Sequence, residues 1–159
     1  MPMDRIEDGR THPAVGVVVV GHGRFAAEMV ETLLSVVGDL DGVEGVVCRP
    51  DAELETIRQA ILAAVERVDE GAGAIVFTDM LGDSATNASL AVADTHESVE
   101  VVAGVNMPML VKLTTARAGT TARELADFIG RYGRDHICVP TRNGPMRDGA
   151  RPEGGRSRA

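Results

Sequence analysis

Residues 15–24 read Val-Gly-Val-Val-Val-Val-Gly-His-Gly-Arg, and how this stretch is read decides the fold. Val15 to Val20 is a short, mostly β-branched run with no polar alternation, the pattern of a strand buried on both faces. Burial on both faces requires helices above and below a sheet. A helix is predicted directly afterwards, because Phe25, Met29, Leu33 and Val37 recur every four residues with Ala26, Val30 and Leu34 beside them. Gly38 supplies its stop.

Outward from this unit the alternation repeats. Val43 to Cys48 is a second strand. The next helix is predicted from near Asp51, with Glu53 and Glu55 in its positive first turn. Its apolar stripe is Leu54, Ile57, Ile61, Val65 and Val68, and Gly71 closes it. Ala74 to Thr78 is a third strand, followed by the polar loop Asp79 to Ser84 and a short Ala-rich helix to about Ala93. Val99 to Ala103 is a fourth. Asn106-Met107-Pro108 starts a helix with proline in the first turn, where its missing N–H costs nothing. Thr121 and Glu124 form a capping box for a last helix, its buried face read as Leu125, Phe128, Ile129 and Tyr132 and its end as Gly133. His136 to Val139 is a candidate fifth, short strand. Strand–helix alternation at this spacing predicts the α/β class: a single doubly wound, mainly parallel sheet with helices on both faces.

The organisation expected is a flexible N-terminal segment over residues 1–13, one domain over 14–140, and a disordered Gly/Arg/Pro-rich tail over 141–159. At 159 residues one domain suffices, with a substantial core. The chain carries 16 basic and 24 acidic residues, a net charge of -8. In the tail, five arginines against Asp148 and Glu153 leave +3, so residues 1–140 carry -11. An acidic body with only four aromatic residues offers neither phosphate neutralisation nor base stacking, so nucleic acid is excluded as a partner. No apolar run reaches the roughly 18–20 residues of a membrane span, and Met1 to Pro13 lacks the apolar stretch of a signal peptide. Cys48 and Cys138 are read as reduced thiols, and a cytoplasmic location is expected.

In an open parallel sheet, ligands bind beyond the carboxyl ends of the strands where the winding reverses. Strands one and three flank that point, which selects Gly21-His22-Gly23-Arg24 and Asp79-Met80-Leu81-Gly82-Asp83-Ser84. Glycines on either side leave the His22 imidazole uncovered, and the helix start beside it favours an anion. An imidazole titrating near neutral pH is a nucleophile toward phosphorus. A histidine that merely fills a turn is the plainer alternative. Asp79 could hold one ring nitrogen and free the other for attack. Ser84 is read as the cap of the following helix, able also to donate to a phosphoryl oxygen. Gly23, Arg24 and Ser84 are therefore the phosphate-binding candidates.

Other chemistries lack their motifs. There is no G-x-x-x-x-G-K-[ST] and no G-x-G-x-x-G after the first strand, so neither an ATP site nor another cofactor is expected. No G-x-S-x-G elbow exists. His12, His22, His96 and His136 show no metal-ligand spacing, so no metal is expected; His12, His96 and His136 are read as solvent-exposed.

Three blocks carry a family resemblance: V-V-V-V-G-H-G-R-F-A-A-E (Val17 to Glu28), F-T-D-M-L-G-D-S-A-T-N-A (Phe77 to Ala88) and V-V-A-G-V-N-M-P-M-L-V (Val101 to Val111). In these blocks, and in their order, the chain resembles the enzyme IIA component of the mannose-type (mannose/fructose/sorbose) sugar phosphotransferase system, over roughly residues 15–135. The resemblance implies a phosphohistidine at His22, assisted by Asp79, with Ser84 at the phosphate. It implies phosphoryl transfer from the phosphocarrier HPr, passage to an enzyme IIB component, and a homodimer exchanging the strand His136 to Val139. Asn106 and Met107 would lie at the rim of the cleft, and the membrane would be met only indirectly, through permease components.

Two departures stand out. Many relatives have Gly-Gly-Ser where this chain has Gly82-Asp83-Ser84, and the added carboxylate opposes a phosphoryl charge unless Asp83 points outward or pairs with Arg24. Leu81 stands where many have an aromatic residue. The chain stops where some relatives continue into a IIB domain, so a separate IIB acceptor is expected. A regulatory IIA protein, whose phosphorylation state controls binding to another protein, is the alternative. A subunit serving dihydroxyacetone kinase ranks below both, since none of its additional domains is seen. The acidic body suits a basic phosphocarrier, so rising salt is expected to weaken that complex.

Overall fold

Five valines and a glycine within six residues leave neither face suited to water, and the chain solves this by placing them at the centre of a sheet. A computed structural model describes residues 12–143. Its strands are β1 (Gly16–His22), β2 (Val43–Cys48), β3 (Ala74–Thr78) and β4 (Val99–Ala103). Its helices are α1 (Phe25–Val37), α2 (Leu54–Val68), α3 (Ser84–Ala93), α4 (Met107–Ala116), α5 (Ala122–Asp135) and α6 (Pro140–Asn143). All pairings are parallel and the strand order is β2-β1-β3-β4, so winding goes one way from β1 and the other way from β3. The class and the doubly wound sheet are therefore as the sequence indicated.

Side-chain alternation divides β1 between two cores. Val15, Val17 and Val19 face Leu33 of α1, Leu110 and Leu113 of α4, and Leu125 and Ile129 of α5. Val18 and Val20 face Ile57, Ile61 and Val65 of α2 and Ala85, Ala88 and Val92 of α3. All five valines are fully buried, each stabilising the fold by roughly 1.5–3 kcal/mol. Because both faces are apolar, hydrophobicity alone would tolerate a register slip. Close approach supplies the missing constraint: a Cβ on Gly16 would fall 2.6 Å from the carbonyl oxygen of Val68, where α2 ends.

Several expectations need correction. β1 does not stop at Val20 but continues through Gly21 to His22, which pairs with Cys48 of β2. α2 begins at Leu54 with Glu53 as its N-cap, later than Asp51. α5 buries Ala122, Leu125, Ile129 and Gly133, while Phe128 is exposed and Tyr132 half-buried. Gly133 does not end this helix: it lies inside it, against Met109 of α4, where a Cβ would come within 2.0 Å of the Met109 side chain. The two aromatic rings instead line the outer face with His136, the Tyr132 and His136 rings stacked at 3.7 Å.

His136 to Val139 forms no strand here. A single added strand needs a sheet edge, and these residues pair with none among the described residues; α6 follows at once. That helix also crosses the boundary expected at residue 140. The terminal segments expected to be flexible fall, at residues 1–11 and 144–159, outside the described residues.

Candidate functional site

Neighbouring strands β1 and β3 end side by side, which brings His22 and Asp79 together across 57 residues of chain. Asp79 Oδ2 accepts two hydrogen bonds from the same residue: the His22 backbone N–H at 2.9 Å and its ring Nδ1–H at 2.8 Å. Asp79 Oδ1 accepts from the Met80 N–H at 3.0 Å. A carboxylate held on three sides in this way has one rotamer available, and the imidazole inherits that fixity. Gly21 makes the approach possible, since a Cβ there would lie 3.1 Å from Asp79 Oδ2 and 2.6 Å from the Phe25 ring.

The loop that carries Asp79 is itself anchored. Thr78, fully buried at the end of β3, shares a 2.8 Å hydrogen bond with the Thr86 hydroxyl. Thr86 also donates to the Met80 carbonyl at 2.6 Å, tying the loop down to the first turn of α3. The cap of α3 is Asp83, whose Oδ1 accepts the Thr86 N–H at 2.7 Å; Ser84, read as the cap, is the first residue inside the helix. Two cap-competent residues stand adjacent here, and the carboxylate takes the position.

Asp83 neither points outward nor pairs with Arg24. Its side chain is 10% exposed and its Oδ2 stands 3.4 Å from His22 Nδ1. Arg24 instead binds Glu28 one turn along α1, with Nε to Oε1 at 2.9 Å. Of the phosphate-binding candidates, Arg24 is thus engaged elsewhere, whereas Gly23 follows His22 directly and Ser84 is the first residue of α3, next to Asp83. Gly23 adopts φ +54°, a left-handed conformation that glycine reaches without strain and that turns the chain from β1 into α1. Asn106 caps α4 by accepting the Met109 N–H and donates to the Gly133 carbonyl, a structural role at the β4–α4 turn; Met107 is the first residue of that helix.

Electrostatics follow from these contacts. The Asp79 hydrogen bond and charge raise the His22 pKa above 6.5, against weak desolvation, with Asp83 adding to the effect. Burial works against ionisation of Asp79, but the hydrogen bonds from His22 outweigh it and hold this carboxyl below its ordinary value. An ionised carboxylate only accepts, so the Nδ1 position carries the ring proton. That leaves Nε2 with its lone pair on a side chain 51% exposed. Behind the ring, the Cys48 thiol is pushed up to about 11 by burial and by the Asp83 and Asp79 charges, so it stays protonated. The arrangement is an oriented, solvent-facing nucleophile backed by acidic groups.

The remaining histidines lie apart from this cluster. His12 and His136 are exposed; His96, expected to be exposed, is half-buried and sits against the Val92 carbonyl near the end of α3. A cavity of about 590 Å³ opens at the opposite, amino-terminal end of the strands. It holds Arg117, whose guanidinium donates to the carbonyls of Asp41 and Gly42, and His12 lies in its wall. Asp83, expected from the sequence to oppose a phosphoryl charge at His22 unless it turned away, does face the imidazole.

Comparison with known proteins agrees with the geometry. The family model described as PTS system fructose IIA component matches residues 16–130. The chain is 30% identical over 103 residues to the PTS system mannose-specific EIIAB component of Escherichia coli (strain K12), covering 65% of this chain and 32% of that protein. The chain thus spans about a third of that relative. It is 22% identical to the PTS system sorbose-specific EIIA component of Lacticaseibacillus casei, over 71% of this chain and 81% of the other. Among solved structures it resembles phosphotransferase system component EIIA from Streptococcus agalactiae, with a TM-score of 0.72 and 21% identity over 80% of this chain and 98% of that one. Fold, residue pattern and family model converge: the chain belongs to the mannose-type enzyme IIA (EIIA-man) family of the sugar phosphotransferase system.

Proposed function

We propose that this protein is a phosphohistidine carrier in sugar uptake, accepting a phosphoryl group from HPr on His22 Nε2 and passing it to a separate IIB component. The observation that carries the reading is the 2.8 Å bond between His22 Nδ1 and Asp79, which leaves the outer nitrogen of a half-exposed ring free. The Nε2 lone pair attacks phosphorus as the P–N bond to the donor histidine breaks, and the Nδ1 proton stays on Asp79's side of the ring. Positive charge developing on the imidazole is stabilised by the Asp79 carboxylate. Since the transition state spreads charge over the equatorial oxygens, catalysis is mainly positioning, with backbone N–H groups near Gly23 and Ser84 as donors. No cofactor takes part.

A phosphoryl donor that is itself a protein needs an accessible landing surface. Met80 and Leu81, 54% and 81% exposed, flank the site and supply one. The chain works in the cytoplasm as a homodimer, with the segment from His136 to Val139 exchanged between copies; the exposure of Ile137 and Val139, at 73% and 46%, supports this. No helix among the described residues is long and apolar enough to cross a membrane; in this reading the carrier meets one only through permease components. Incubation with phosphoenolpyruvate, enzyme I and HPr should add one acid-labile phosphoryl group, absent in His22→Ala. An unchanged mass in the wild type refutes the proposal.

A regulatory role is favoured by one observation, the buried Asp83 carboxylate that faces the ring and opposes a second anion there. In that case phosphorylation would control association with another protein. Sugar uptake lost on deletion, with a IIB and permease encoded alongside, would decide for transport.

A further inference from the structure

Two loops converge on the inner edge of the His22 ring. Asp79 Oδ2 lies 2.8 Å and Asp83 Oδ2 3.4 Å from Nδ1, and each of the three side chains offers a ligand atom within 4.8 Å of the others'. Asp83 sets this cluster apart from a mere group of acidic residues. Its side chain is nine-tenths buried; Oδ1 is spent on the Thr86 N–H, and Oδ2 is shielded from solvent with no hydrogen-bond partner among the described residues. The single Nδ1 proton goes to Asp79, so Asp83 Oδ2 faces the ring with nothing to accept. Arg24, the basic residue nearest along the chain, is held by Glu28. A buried carboxylate oxygen aimed at an imidazole nitrogen and a second carboxylate is satisfied by a proton shared with Asp79 or by a cation in that proton's place.

We propose that His22 Nδ1, Asp79 Oδ2 and Asp83 Oδ2 form a site for a divalent transition-metal ion of the zinc class, and that the bound ion blocks phosphoryl acceptance by His22. One imidazole and two carboxylates make a three-ligand set with a fourth position open to water. Bonds of about 2.0–2.1 Å at tetrahedral angles put ligand atoms roughly 3.3 Å apart. Asp83 already stands at that separation from Nδ1, and Asp79 needs to open by only about 0.5 Å once the intervening proton leaves. In the neutral ring that proton cannot stay on Nδ1: the N–metal bond takes its place and the proton moves to Nε2. The lone pair that attacks phosphorus is thereby replaced by an N–H. Linear spacing of histidines could not reveal the site, because its ligands come from two loops and only one is a histidine.

The blocking half rests on His22 being the phosphoryl acceptor; the binding half does not, so the two are measured apart. Zn²⁺ is titrated into the metal-free full-length chain by calorimetry with no phosphoryl donor present. The expected result is one ion per chain, with affinity reduced at least ~10-fold in Asp83→Asn, since even an outer-shell partner is worth about that much. Asp83→Asn keeps an Oδ1 to cap α3, and circular dichroism checks that it folds. Replacing His12, His96 and His136 together by alanine should leave binding unchanged. Wild-type affinity in Asp83→Asn, or loss of binding in the triple variant, overturns the site. For the second half, purified phospho-HPr free of enzyme I donates to the chain with and without Zn²⁺. Transfer should slow with site occupancy in the wild type and much less in Asp83→Asn; equal rates at full occupancy overturn the block.

Discussion

Replacing Asp79 by asparagine changes one atom of the site and reverses what that atom tells the ring. In the wild type, Oδ2 accepts from both the backbone N–H and the Nδ1–H of His22, at 2.9 and 2.8 Å. An asparagine can present one oxygen to these two donors or turn its NH₂ toward the ring. If the oxygen keeps the Met80 N–H, the amide nitrogen takes the Oδ2 position: the His22 backbone N–H loses its acceptor and Nδ1, now facing a donor, must accept. The proton moves to Nε2, and the nucleophilic lone pair is lost. A hydrogen bond to a charged group contributes about 1.5–3 kcal/mol, and less here because the ring is half exposed. The tautomer effect is larger: misorienting a histidine by the same Asp→Asn change in a Ser-His-Asp triad costs about 10⁴ in rate. Phosphoryl acceptance by Asp79→Asn should therefore fall by ~10²–10⁴-fold while the fold persists, because the cores on both sheet faces are untouched. Quenched-flow transfer from phospho-HPr gives the rate, and ¹⁵N chemical shifts of the ring give the tautomer. A variant that accepts phosphate at the wild-type rate refutes the orienting role, and so does one that is slow with its proton still on Nδ1.

Further predictions concern pH, docking and stability. His22 is raised above 6.5 by Asp79, so acceptance, which needs the neutral ring, should fall with a midpoint above pH 6.5, and that midpoint should move down in Asp79→Asn; a shared midpoint contradicts the pairing. The pair's stabilisation has the corresponding window: the raised His22 pKa makes its share complete below pH 6.5 and lost as pH rises through the folded value, while the lowered Asp79 pKa makes its share present above 3.8 and lost on acidification, as chemical denaturation across pH would register. Leu81→Glu, at an 81% exposed position beside the site, should slow transfer from phospho-HPr at low donor concentration without altering the His22 titration; an unchanged rate removes this loop from the docking surface. Ile61→Ala, in the fully buried core between α2 and the sheet, should cost about 2–5 kcal/mol and lower Tm by roughly 5–15 °C, with acceptance retained at low temperature.

What the sequence makes legible follows the range of the forces involved. β3 falls where its apolar run begins and ends, because a strand buried on both faces has no other signal to obey; β2 and β4 keep their expected bounds although each carries a glutamate and is only partly buried. β1 runs two residues beyond its valines since pairing with Val47 and Cys48 of β2, and not propensity, carries Gly21 and His22. The face of α5 was misjudged for a similar reason. Phe128 and Tyr132 have the right spacing for a core stripe, but the space against β3, β4 and α4 is shallow and takes Ala122, Leu125, Ile129 and Gly133. His22 and Asp79 were reachable because topology alone brings the ends of β1 and β3 together. Asp83 was legible as a carboxylate beside the ring, but its capping of α3 was not, since that depends on which of two adjacent capping residues wins.

The central claim is that His22 Nε2 carries the phosphoryl group while Nδ1 stays bonded to Asp79. Nitrogen-15 NMR of ring-labelled protein, phosphorylated by HPr, reads both at once through the one-bond coupling to phosphorus and the shift of the other nitrogen. A coupling at His22 Nε2, with Nδ1 protonated, is the predicted result. A phosphorus coupling at Nδ1, or on any other residue with His22 unmodified, contradicts the account.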